Sequence, residues 1–204
     1  MSCDDGSSSS LILASASPRR RELLAASGLT FEVCPSQVPE VQLPDESPEA
    51  FVRRLAAAKA REVATSYRAR GDLRPVLGAD TVVVIDGTTL GKAATVEEAR
   101  EMLATLSGRV HRVVTGVCVL SATGTEEVQA VATEVEFKTL TAREIATYLR
   151  TDDWQDKAGA YAIQDRAAYM VRTIRGSYTN VVGLPLCEAL EALGRAGVGA
   201  LAAG

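Results

Sequence analysis

Ser15, Ser17, Arg19 and Arg20 fall within the run Ser-Ala-Ser-Pro-Arg-Arg at positions 15–20. Hydroxyls and guanidinium groups at this spacing suit an anion, phosphate above all. Further along stand the cations Lys59, Lys92 and Lys157 and the carboxylates Glu40, Asp80 and Asp156. Together these are the parts of a polyphosphate site. Cations neutralise the phosphates, and carboxylates hold a divalent metal or take a proton from water. Other chemistries lack their parts. His111 is the one histidine, so a histidine-rich zinc site is excluded. A Ser-His-Asp arrangement would have to use that residue, which lies in a strand-like run. No Walker A run and no GxGxxG occur, which excludes a P-loop and a Rossmann fingerprint.

The elements that must position these residues can be read in turn. The apolar run Leu11-Ile12-Leu13-Ala14 precedes the serine–arginine stretch, and Arg21-Glu22-Leu23-Leu24-Ala25-Ala26 follows it. That pattern is strand, turn, helix, with Ser17 as cap and Pro18 in the first helical position. A capped helix with solvated arginines fits the same residues. Phe31-Glu32-Val33-Cys34 alternates like a strand, and residues 35–48 form a proline-rich, acidic loop containing Glu40. Ser47-Pro48-Glu49 opens a long helix to about residue 70, with Phe51, Val52, Leu55, Ala56 and Val63 as its apolar stripe. Lys59 falls inside that stripe. It either snorkels to water or aims a charge into a cleft.

Residues 75–85 are a near-continuous run of strand formers, the pattern of a strand buried on both faces. Asp80 interrupts it. A carboxylate there needs an ion partner or a metal. Asp86-Gly87 marks a hairpin turn leading to Lys92. Thr95 to Glu98 and Thr141 to Glu144 are two capping boxes opening helices. Between those helices, residues 110–120 and 127–140 read as a long hairpin. Asp156 and Lys157, beside Gly159, suit a ligand approaching the backbone closely. Residues 168–174 are expected as a strand, residues 175–180 as a turn, Val181-Val182 as extended, and residues 186–193 as a last helix.

The chain's 204 residues are enough for one domain with a sizeable core. The expected organisation is a disordered tail over residues 1–10, a single domain over 11–195 and a flexible tail over 196–204. The fold class is α/β. A net charge of −4 leaves no basic field, so bulk nucleic-acid binding is not expected. No apolar run is long enough to span a membrane, and MSCDDGSSSS is no signal peptide. Cysteines at 3, 34, 118 and 187 form no CxxC pair and read as free thiols in a reducing, cytoplasmic setting.

The chain resembles the Maf family of nucleoside triphosphate pyrophosphatases. The matching pieces come in the family's order. They are Ala14-Ser15-Ala16-Ser17-Pro18-Arg19-Arg20, Ala58-Lys59-Ala60, Gly78-Ala79-Asp80-Thr81, Gly91-Lys92, Ser107-Gly108 and Thr115-Gly116-Val117. Asp156-Lys157-Ala158-Gly159-Ala160-Tyr161-Ala162-Ile163-Gln164, Gly176-Ser177-Tyr178 and Val182-Gly183-Leu184-Pro185 complete them. The resemblance implies an elongated mixed sheet flanked by helices, with two lobes around a deep cleft, related to the inosine triphosphatase type. It implies cleavage between the α- and β-phosphates with a divalent cation (Mg²⁺, Mn²⁺ or Co²⁺), and it suggests a homodimer. Asp80 would take the proton from water. Glu40 and Asp80 would hold the metal, and Ser15, Arg19, Arg20, Lys59 and Lys92 the triphosphate.

The resemblance is to the branch acting on dTTP and UTP, with Arg19, Thr81 and Gln164 as specificity residues. Cleavage of 7-methyl-GTP and a nucleotide-binding role in cell division are the alternatives the family offers. Two departures stand out. Asp165-Arg166-Ala167-Ala168 replaces a glycine-rich run, and Ala93 replaces a proline.

Overall fold

The computed structural model describes residues 9–199. Seven strands form one mixed sheet: β1 (Leu11–Ala14), β2 (Phe31–Val33), β3 (Val76–Ile85), β4 (Thr88–Leu90), β5 (Val110–Leu120), β6 (Glu126–Phe137) and β7 (Val171–Arg175). Their order is β2-β1-β3-β5-β6-β7, with β4 added to β3. β1 runs parallel to β2 and β3, and the other pairings are antiparallel. The helices are α1 (Pro18–Ala25), α2 (Pro48–Arg68), α3 (Val96–Leu106), α4 (Ala142–Leu149), α5 (Tyr178–Val182) and α6 (Leu186–Arg195). The expected α/β class, with an elongated mixed sheet flanked by helices, is what the chain adopts.

Alternation along β3 explains how this sheet can hold a charged site. Successive side chains point to opposite faces. Val82 and Val84 pack on one side with Phe51, Val52 and Leu55 of α2. Leu77 and Ala79 pack on the other with Leu184, Ala189 and Leu193 near α6. Farther along that second side, Val83 and Ile85 join Leu103, Phe137 and Tyr148 in a separate apolar cluster. The two clusters are the cores of two lobes.

One edge of β3 is broken. β1 pairs with it only as far as Ala14 opposite Gly78, and β4 takes over only at Leu90 opposite Val83. Among the described residues no strand pairs with 79–82 on that side, while their other edge stays paired with β5. The lobes part at this gap.

Helix α2 lies unusually close to the sheet. A Cβ added to Gly78 would stand 2.3 Å from the Ala56 carbonyl oxygen, and one added to Gly116 would stand 2.2 Å from that of Val52. No side chain fits at either position, so these two glycines set the height of α2 above β3 and β5.

Some local expectations were not met. Residues 166–170 form a short 3-10 helix, and the strand begins only at Val171. Tyr178–Val182 is helical, where a turn and an extended piece were expected. Ser177 caps that helix by accepting from Asn180 N, and this local bond competes with extended backbone. The expected tails lie partly outside the described residues. Within them, Ser10 N donates to the Thr30 carbonyl, and Val198, 4% exposed, packs into the core.

Candidate active site

A cleft of about 460 Å³ opens at the gap in β3. Its walls come from the β1–α1 turn, β3, α2, the loop over residues 35–47, and the segments around Lys92, Ala158 and Gly183. Because the sheet edge is open there, Asp80 and Thr81 both line the cleft although they point to opposite faces.

Lys59 sits in the α2 stripe between Ala56 and Val63, and only 7% of its side chain is exposed. It does not snorkel. Its ammonium lies 2.6 Å from Asp80 Oδ1 and 2.6 Å from Glu40 Oε1. Glu40 also meets Lys92 Nζ at 3.2 Å. Four charged groups from a helix, a strand and two loops thus converge.

The two carboxylates titrate in opposite senses although they share one lysine. Asp80 is almost fully buried. Desolvation raises its pKa above the ordinary value, and the Lys59 and Arg20 charges offset this only in part. The Glu40 side chain is 42% exposed at the cleft mouth. Partial burial works upward there too, but Lys59 and Lys92 together outweigh it and hold Glu40 at about 2. The site therefore pairs a firmly ionised carboxylate with a more basic one.

Ser15 is buried at the end of β1, and its Oγ accepts from Arg20 and from Ser17 N. Its own hydroxyl hydrogen is left for the cleft. Ser17 caps α1 as expected, accepting from Arg20 N. Arg20 is committed more fully than expected. Nε donates to the Gly183 carbonyl at 2.7 Å, one terminal nitrogen to Ser15 Oγ and the Ala79 carbonyl, and the other to Thr81 Oγ1. One N–H remains. Arg20 ties the β1–α1 turn to the open edge of β3 and brings its charge to the cleft wall.

Other expected residues are arranged less directly. Thr81 Oγ1 is occupied by Arg20 and stands 3.0 Å from Thr115 Oγ1. Asp156 lines the cleft. Arg19, Lys157 and Gln164 are not among the lining residues. Arg19 and Lys157 share an electrostatic neighbourhood with Asp156 and Asp165. Gln164 is exposed because the chain anchors Tyr161, Ala162 and Ile163 inside and then turns outward, with Asp165 N donating to the Ala162 carbonyl.

Tyr161, Val83, Val113 and Val181 also line the cleft. Tyr161 belongs to the run 156–164 that carries the family resemblance, but sequence reasoning gave it no role of its own, and Val83, Val113 and Val181 fall in strand-like runs that carry no chemical signal. His111 is 2% exposed, and burial lowers its pKa to about 4, which leaves it a neutral core residue. The described cysteines Cys34, Cys118 and Cys187 are free thiols. No described helix is long and apolar enough to cross a membrane.

Among the described residues no three His, Cys, Asp or Glu side chains cluster as a ready metal cage. Asp80 and Glu40 nonetheless suit a hard divalent ion. Mg²⁺ and its like need only one or two protein carboxylates when substrate phosphates and water complete the shell. No protein donor among the described residues bonds the second Asp80 oxygen, Oδ2.

A family model described as Maf-like protein matches residues 10–196. A dTTP/UTP pyrophosphatase of Syntrophotalea carbinolica is 50% identical over 190 residues, covering 93% of this chain and 86% of the relative. One from Geobacter sulfurreducens is 52% identical over 188 residues, covering 92% and 96%. A solved nucleoside-triphosphatase, a dITP/XTP pyrophosphatase from Mycobacterium abscessus, aligns with a TM-score of 0.39 at 18% identity over 65% of this chain and 76% of its own. That likeness is too low to carry weight. The family match and the two relatives span nearly the whole chain, and so the chain belongs to the Maf-like protein family.

Proposed function

We propose that this protein hydrolyses dTTP and UTP between the α- and β-phosphates, releasing the nucleoside monophosphate and pyrophosphate. The observation that carries this reading is the Glu40–Lys59–Asp80 arrangement at the gap in β3. Relatives named dTTP/UTP pyrophosphatase at 50–52% identity support the substrate.

Asp80 accepts a proton from water, a task to which its raised pKa is suited. The water oxygen bonds to the α-phosphorus, the bond to the bridging oxygen breaks, and pyrophosphate leaves. Lys59 and Lys92 take up phosphate charge. Ser15 Oγ–H and the remaining Arg20 N–H donate to phosphate oxygens, and Asp156 borders the same space. Glu40 and Asp80 would hold a divalent cation, which when bound neutralises the triphosphate. Arg19 and Lys157 extend the cationic field at the rim. A cytoplasmic setting belongs to the same reading, supported by the free thiols.

The test is a pyrophosphate-release screen over dTTP, UTP, the other common triphosphates and 7-methyl-GTP with Mg²⁺, Mn²⁺ or Co²⁺. Pyrophosphate from dTTP and UTP is expected. Orthophosphate in its place would refute the cleavage position. Binding without turnover would favour a regulatory role, and preference for 7-methyl-GTP the other branch of the family.

A further inference from the structure

The phosphate chemistry uses only half of the cleft. Val83, Val113, Ala158, Tyr161 and Val181 line the remainder, beyond the sheet from Asp80 and Lys59. The chain reaches Tyr161 through Gly159 and Ala160, both at positive φ (66° and 59°). Gly159 is pressed against Val83, where an added Cβ would lie 2.9 Å from Cγ2. That contact fixes where the next residues go.

The Tyr161 hydroxyl lies 2.8 Å from His111 Nε2. His111 is buried on β5 and is not among the lining residues. The hydroxyl is thus drawn into the core, and the 6% of Tyr161 that stays exposed borders the cleft. Phe137 locks both rings edge-on, with centroids 4.9 Å from His111 and 4.8 Å from Tyr161. His111 Nδ1 is buried without a partner. Among the described residues the Tyr161 hydroxyl is the one hydrogen-bond partner of the His111 ring, so the two side chains hold each other in place.

We propose that Tyr161 is the wall against which the nucleobase packs, and that His111 is the residue that positions it. This rests on the nucleotide reading above. A flat aromatic wall among valines suits a pyrimidine ring, and its apolar character suits the thymine methyl. Neither residue is hydrogen-bonded to Arg20, Glu40, Lys59 or Asp80.

Tyr161→Leu should raise KM for dTTP about tenfold, far more than it lowers kcat. Inhibition by inorganic tripolyphosphate, which reads the phosphate half alone, should keep its wild-type constant. His111→Leu should act in the same direction. His111→Gln should restore KM, because an amide can still hydrogen-bond the tyrosine hydroxyl. As an arm that needs no variant, ultraviolet crosslinking of the wild-type protein with 5-iodo-dUTP should place the adduct on Tyr161.

If wild type cleaves dTTP but the leucine variants leave KM unchanged, the wall is wrong and the nucleotide reading stands. An adduct on Gln164, or an equal loss of tripolyphosphate inhibition, also overturns the proposal. Failure of wild type to cleave any nucleotide overturns both readings.

Discussion

Lys59 Nζ lies 2.6 Å from Asp80 Oδ1, and both side chains are more than nine-tenths buried. The contact exists because α2 rests on Gly78 and Gly116, which admit its backbone where no other residue could. An ion pair taken out of water at this depth is weak evidence for stability. It is well placed for chemistry, since it keeps a charged base in a poorly hydrated cleft.

Replacing Asp80 with Asn should lower kcat for pyrophosphate release by about 10²- to 10⁴-fold, the usual span for a lost general base. Far-UV circular dichroism should remain that of wild type. Near-normal turnover would reject Asp80 as the base. In the wild type, the acid limb of kcat should lie above the ordinary carboxylate range, because burial raises the Asp80 pKa. Glu40, held at about 2, stays ionised through that window.

Gly78→Ala should cost about 1–3 kcal/mol in urea unfolding, the range for overpacking a filled interior. It should also lower turnover by lifting α2 and Lys59 from Asp80. A Cβ added to Gly194 in α6 would meet no atom of the described residues within 4 Å. Gly194→Ala should therefore stabilise the protein by about 0.5–1 kcal/mol and leave turnover unchanged.

Glu40→Gln removes the ionic partner that Lys59 and Lys92 share in the loop over residues 35–47. Half-maximal activity should then need more Mn²⁺ than in the wild type. Limited proteolysis should cut that loop faster. An unchanged Mn²⁺ titration would separate Glu40 from the metal.

His111 gives a stability test in acid. Its folded pKa of about 4 lies below the ordinary 6.5. The folded state therefore resists the proton that the unfolded chain accepts. Its contribution is complete above pH 6.5 and is lost as pH falls towards 4, about 3 kcal/mol in all. Unfolding free energies from urea titrations at pH 7 and pH 4.5 should show most of this loss in the wild type. The loss should be much smaller in His111→Gln. Equal losses in both would assign the acid sensitivity elsewhere.

Much of this was legible from local pattern alone. The 3.6-residue spacing placed Lys59 inside the buried stripe of α2, and the apolar run of β3 placed Asp80 where a carboxylate needs a partner. Ser17, Ser47 and Thr141 marked their helix starts because capping uses only neighbouring residues. Strand pairing is a different matter, since it depends on residues far apart in the chain. That β1 stops at Gly78 and β4 begins at Val83 cannot be read from either strand, yet this gap lets one cleft collect side chains from both faces of the sheet. Only the folded chain could spend the Arg20 donors on Gly183, Ser15, Ala79 and Thr81, turn Gln164 outward, and join Tyr161 to His111 fifty residues away. The sequence by itself settled which residues carry charge and which helix or strand holds them. Which of those charges meet was decided by long-range register and by two glycines that let a helix approach.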